Sequence, residues 1–128
     1  QILLGRDPDT ETDRRYAVVP LSRQRVTLFR NGQPVRSARV STGNKSTPTS
    51  AGKYIITDKQ ADWVSSIYKV SMPFFMRLSC KEIGLHAGMV PGYPASHGCI
   101  RLPLDEGNPA KFFYQWVDVG TPVKILRR

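Results

Sequence analysis

The chain has 128 residues, with 19 Lys+Arg against 10 Asp+Glu for a net charge of +9, and two cysteines. This length holds one core with no room for a second, and two cysteines permit at most one disulfide, which excludes a disulfide-rich scaffold. No apolar run approaches the roughly 18 residues that a membrane-spanning helix needs.

The positive balance suits an anionic partner: nucleic acid, an anionic membrane face or an acidic wall polymer. Arg23, Arg25, Arg30, Arg36, Arg39, Lys45 and Lys53 are scattered among apolar and turn residues. Without a basic helix or interleaved aromatics they read as a solvated basic face, and specific nucleic-acid binding is not expected.

In chain order, residues 1–15 show no hydrophobic period and read as an irregular segment before a domain spanning 16–128. Gln1-Ile2-Leu3-Leu4-Gly5 is too short for a signal-peptide core, and an exported chain looks the same once its leader is removed. Residues 25–29 alternate as a strand, Asn31-Gly32 is a hairpin-turn signal, and residues 34–42 return as the partner. Further strands are expected at 53–57, 72–78, 83–86 and 122–126, separated by Gly, Pro, Ser and Asp clusters. Residues 57–68 lack a period and are expected as a loop or flap, in which Trp63 and Tyr68 either cover a ligand or anchor the loop. Cys80 falls in an expected bend with no reactive neighbours in sequence. Asn108 caps a helix over 109–116, with Pro109 at the tolerated first position and Phe112, Phe113 and Trp116 on a core-facing stripe.

The reactive side chains concentrate in two segments, His86-Ala87-Gly88 and Ser96-His97-Gly98-Cys99-Ile100-Arg101-Leu102. A thiol attacks as thiolate, and an ordinary cysteine with a pKa of about 8.5 is mostly protonated at neutral pH. His86, His97 and Arg101 are the available base or positive field. Gly98 permits a sharp turn that can aim successive N–H groups, those of Gly98 and Cys99, at one developing oxyanion. Nucleophile, base and oxyanion donors are thus offered by one short stretch and one upstream histidine.

This pattern resembles the catalytic signature of the L,D-transpeptidases, cell-wall cross-linking enzymes with a cysteine nucleophile. The resemblance extends through residues 18–26, Arg30-Asn31-Gly32, Val40-Ser41-Thr42-Gly43, Thr47-Pro48-Thr49-Ser50-Ala51-Gly52, Met72-Pro73-Phe74 and Val119-Gly120-Thr121-Pro122-Val123, covering about 16–126. Ser50 stands where the family usually has a second proline, and Ala87 where Gly or Ser is common; neither change removes a reacting group. The short connection of residues 89–95 is similar to one subgroup.

The resemblance implies a mainly β, β-sandwich-like catalytic fold with a short helical element near the carboxyl end. It implies that Cys99 attacks a stem-peptide carbonyl of peptidoglycan, releases terminal D-alanine, and holds the remainder as a thioester for a second amine. His86 takes the place of the base, oriented by the Ala87 carbonyl, while His97 either shapes the Cys99 turn or shares the proton chemistry. Ser96 either bonds a histidine or ends a turn. Arg101 holds a substrate carboxylate, favours the thiolate or makes a structural ion pair. Tyr54, Met72, Phe74, Gly88 and Tyr93 are expected along the substrate path. The implied location is the cell envelope, in the periplasm after removal of an export signal; no cofactor is implied, and the oligomeric state is not encoded in any motif.

Four competing readings follow from the same residues. Water in place of the acceptor amine gives an L,D-carboxypeptidase, and loss of chemistry gives a peptidoglycan-binding module. Cys80, His86, His97 and Cys99 would be a zinc set, but the spacing contains no C-x-x-C and the metal would consume the nucleophile, so no metal is expected. A Cys80–Cys99 disulfide would consume it too, and is not expected.

Overall fold

A computed structural model describes residues 14–64, 71–79 and 83–128. Among them are β1 (Arg15–Pro20), β2 (Arg25–Arg30), β3 (Gln33–Arg39), β4 (Gly52–Val64), β5 (Ser71–Leu78), β6 (Gly84–Ala87), β7 (Ile100–Leu102), α1 (Pro109–Trp116) and β8 (Pro122–Leu126). The β2–β3 hairpin turns on Asn31 and Gly32, both left-handed at φ 54° and 81°, the conformation that the twist of two antiparallel strands demands. Val26 and Leu28 point inward from β2 and are fully buried, while Arg25 and Thr27 meet Ser37 on the outer face.

The strands lie in the order β3-β2-β1-β8-β4-β5-β6-β7. β8 runs parallel to β1 through Ala17↔Val123 to Pro20↔Leu126. The long β4 serves two sheets: Gly52 to Ile55 pair with β8, and Ile56 to Val64 pair with β5. The register slips between Ile56 and Asp58, and such a bulge bends a strand enough to turn one sheet into the next. Beyond β3, Ser41 bridges Arg101 of β7, so the two ends of the strand order meet. The result is the mainly β, sandwich-like arrangement expected, around a core that includes Val19, Val26, Leu28, Met76, Leu85, Ile100, Leu102, Phe113 and Ile125.

The expected loop or flap at 57–68 is corrected for residues 57–64, which are strand. Pairing with β5 down to Val64↔Ser71 gives the backbone groups on that edge their partners, and tertiary pairing outweighs a weak local period. Trp63 there stacks on Phe75 with ring centroids 5.2 Å apart and Arg77 4.6 Å above it, so it anchors β4 to β5. β1 and β7 were not expected as strands; β7 has only three residues, too few to display a period. Residues 1–13, Tyr68 and Cys80, on which expectations were also placed, lie outside the described residues.

α1 begins as read: Asn108 Oδ1 accepts the Lys111 N–H at 3.2 Å, and Pro109 opens the first turn. Ala110 and Phe113 are fully buried. Phe112 and Trp116 are half-buried at the margin, where Arg36 and Arg15 lie 4.9 and 5.1 Å over their rings. Among the described residues no helix is long and apolar enough to cross a membrane, and no group of three or more His, Cys, Asp or Glu is placed to hold a metal ion.

Candidate active site

β6 and β7 form a parallel pair with Leu85↔Ile100, His86↔Arg101 and Ala87↔Leu102 in register. The two-residue period sends Leu85 and Ile100 into the core and puts His86 beside Arg101 on the other side, with Cys99 one residue ahead of β7 in the same parity as Arg101. β6 approaches β5 closely because position 84 is glycine: a Cβ there would sit 2.2 Å from the Met76 carbonyl oxygen.

His86 is buried, and its Nδ1 lies 2.8 Å from the Ala87 carbonyl oxygen. A carbonyl only accepts, so Nδ1 carries the hydrogen and the neutral ring keeps Nε2 as its acceptor. Burial lowers the His86 pKa below the usual histidine value; the Ala87 carbonyl opposes this and the Arg101 charge adds to it. The imidazole is therefore held in the form that can accept a proton.

Cys99 is 6% exposed and packs with Met72 and Phe75, with Trp63 and Ile83 half-buried against the same cluster. Its turn is fixed by two hydroxyls. Ser96 Oγ accepts the Gly98 N–H at 3.1 Å and donates to the Cys99 carbonyl. Thr49 Oγ1 accepts the Gly43 N–H at 2.8 Å and donates to the Gly98 carbonyl at 2.7 Å. Gly98 adopts φ 128°, which L side chains rarely adopt.

A second layer ties this turn to the amino-terminal half. Ser96 N–H donates to the Thr42 carbonyl and Asn44 N–H to the Ser96 carbonyl, at 3.0 and 2.9 Å. The Gln24 side chain in turn holds Thr42 through both its amide groups, at 2.8 and 3.1 Å. Ser41 Oγ donates to the Tyr93 carbonyl at 2.7 Å and accepts the Ala95 N–H at 3.0 Å, pinning the connection that leads into the turn. Gly43 leaves no room for a side chain, since a Cβ would lie 2.0 Å from the Thr47 carbonyl.

Of the residues expected along a substrate path, Met72 is brought to Cys99. Gly88 lies against the Arg101 stem, whose guanidinium donates to the Met89 and Ala95 carbonyls at 3.4 and 3.3 Å. Arg101 thus spans the connection rather than pairing with a carboxylate in the described contacts. Tyr54 and Phe74 pack on the main core instead of the Cys99 cluster: the Tyr54 hydroxyl donates to the Ser50 carbonyl, and Phe74, left-handed at φ 56°, meets Tyr114 at 5.6 Å. His97 and Tyr93 are exposed at the surface of the turn and its connection. A cavity of about 490 Å³ opens beside Gly88, lined also by Arg39, Met89, Val90, Pro103, Leu104 and Asp105. Thr49, Ser41 and Gln24 do not stand out individually in the sequence; Ser41 and Thr49 lie in the family-like runs Val40-Ser41-Thr42-Gly43 and Thr47-Pro48-Thr49, and the fold buries them.

Comparison with known proteins agrees with this architecture. A family profile described as the L,D-transpeptidase catalytic domain (YkuD) matches residues 14–125. The chain belongs to that family. L,D-transpeptidase 1 of Mycobacterium tuberculosis is 25% identical over 131 residues, covering 89% of this chain and 51% of the relative. The chain therefore spans about half the length of the curated relatives it matches. Among solved structures, the L,D-transpeptidase LdtMt1 in complex with imipenem superposes with a TM-score of 0.80 at 25% identity, over 89% of this chain and 59% of that one. An L,D-transpeptidase from Stackebrandtia nassauensis gives 0.79 at 26%, over 88% and 55%.

Proposed function

We propose that this chain is a cysteine-dependent L,D-transpeptidase acting on peptidoglycan stem peptides in the cell envelope, on the periplasmic side. The observation that supports this most directly is the Cys99 turn, locked by two hydroxyls, beside a buried His86 whose Nε2 is kept as a proton acceptor. The thiol proton passes to His86 as sulfur attacks the carbonyl preceding terminal D-alanine. Backbone N–H groups of the turn receive the oxyanion; Gly98 N–H exchanges the Ser96 hydroxyl for this stronger, charged acceptor. Collapse breaks the C–N bond, the D-alanine amine takes the proton from imidazolium, and a thioester remains on Cys99. A second stem-peptide amine then attacks the thioester, restores the thiol and leaves a cross-link.

Incubation with disaccharide tetrapeptides separates the readings. Cross-linked dimers with a Cys99 acyl intermediate support transpeptidation. Tripeptide alone identifies an L,D-carboxypeptidase, and binding without turnover identifies a peptidoglycan-binding module. Because LdtMt1 has been solved with imipenem, this chain is expected to form an imipenem adduct that Cys99→Ala abolishes and Cys80→Ala retains. An adduct lost only with Cys80→Ala overturns the nucleophile assignment.

A further inference from the structure

Thr49 is 5% exposed, comes from a segment fifty residues before the nucleophile, and spends its hydroxyl twice: it accepts the Gly43 N–H and donates to the Gly98 carbonyl. The Gly98 carbonyl and the Cys99 N–H belong to one peptide unit. That unit is trans, as are all described peptide bonds, so its N–H points opposite to its C=O. Fixing the carbonyl against Thr49 therefore fixes the direction of the Cys99 N–H, away from Thr49. The two flanking units are fixed separately by Ser96 Oγ, which donates to the Cys99 carbonyl of the following unit and accepts the Gly98 N–H of the preceding one.

Glycine makes this restraint necessary. Gly98 at φ 128° has an open backbone landscape, and without a partner for its carbonyl the 98–99 peptide plane can rotate about the flanking bonds. The Gly43 N–H orients the Thr49 hydroxyl as a donor by occupying its acceptor side, and a Cβ on Gly43 would displace this strut entirely. Hydrogen bonding to the carbonyl also polarises the same peptide, making its N–H a better donor.

We infer that Thr49 is a positioning residue for acyl transfer: through the Gly98–Cys99 peptide plane it aims the Cys99 N–H at the oxyanion, without touching substrate. This rests on the acyl-transfer reading above. It separates two steps that depend on the thiol. Alkylation by iodoacetamide displaces iodide at an sp³ carbon and builds no oxyanion, whereas imipenem must pass through a tetrahedral oxyanion as sulfur adds to the lactam carbonyl and the C–N bond breaks, the ring nitrogen taking the proton.

The test measures both rates in a Cys80→Ala background, so that Cys99 is the thiol observed by intact mass. Thr49→Val keeps the shape and removes the hydroxyl; it is expected to slow imipenem acylation about tenfold to a hundredfold. The iodoacetamide rate and its pH profile should stay within twofold, and Thr49→Ser, which restores the hydroxyl, should recover most of the acylation. Using the ratio of the two rates on the same sample removes the effect of any unfolded fraction, and Thr49→Ala is the second variant should Thr49→Val fold poorly. A ratio unchanged from the parent, or a Thr49→Ser variant as slow as Thr49→Val, overturns the assignment. A parent protein that alkylates at Cys99 but is acylated by neither imipenem nor stem peptide overturns the acyl-transfer reading itself, and the role of Thr49 with it.

Discussion

Gly84→Ala tests whether the approach of β6 to β5 holds the strand that carries His86 in place. The added Cβ would lie 2.2 Å from the Met76 carbonyl oxygen, 2.9 Å from its carbon and 3.0 Å from the Arg77 Cα, all backbone atoms that no rotamer change can move. Ordinary carbon–oxygen contact needs about 1 Å more, so the strands must part where Met76↔Leu85 and Arg77↔Gly84 pair. Overpacking of this kind costs about 1–3 kcal/mol, and each ladder hydrogen bond weakened adds about 1 kcal/mol. A total of about 2–4 kcal/mol corresponds to a fall in Tm of roughly 8–16 °C for a domain of this size. Urea and thermal unfolding read this directly, and acylation measured on the folded fraction reads the displacement of His86 two residues on. Gly88→Ala is the control: the nearest atoms to its Cβ would be those of the Arg101 side chain, at 3.2 Å, which can swing aside, so its Tm should fall by no more than about 4 °C. A Gly84→Ala variant within 2 °C of the parent would refute the argument.

Because burial holds the His86 pKa below about 6.5, the acid limb of the acylation rate should fall below that pH, and Arg101→Gln, by removing a charge that opposes protonation, should move the limb upward. The same depressed pKa means that the unfolded chain binds the His86 proton first, so stability should be level above pH 6.5 and decline as pH falls below it, a trend absent in His86→Gln as read by urea midpoints. His86→Ala should depress acylation far more than His97→Ala, both checked for folding by circular dichroism; the reverse order would exchange their roles. Phe113→Ala removes a fully buried ring from α1 and should cost about 3–5 kcal/mol in equilibrium unfolding.

Local chemistry made parts of this fold legible. Asn31-Gly32 can take left-handed φ at both positions, and Asn108-Pro109 supplies a cap and a pre-set first turn; both signals act within a few residues and both elements formed where read. β4 beyond Thr57 was not legible because its strand character comes from β5, and three-residue β7 shows no period at all. The candidate site divides in the same way. Cys99, Gly98 and His86 stand out by side-chain chemistry, whereas Thr49 is an ordinary threonine until the fold puts its hydroxyl between the Gly43 and Gly98 backbones. Phe74 and Tyr54, placed on the substrate path by the resemblance, are partly buried against the main core and not in the Cys99 cluster, a contact that only the fold reveals.

The bridge between Ser41 and Arg101 has a kinetic consequence. Segments 41–49 and 96–101 are far apart in sequence, and closing so long a loop ranks among the slower steps of folding. Until it closes, the turn around Cys99 lacks the Thr42 and Thr49 contacts that shape it. Reactivity toward a strained carbonyl should therefore emerge only as the two ends of the strand order join, making Cys99 an internal clock for the completion of this fold.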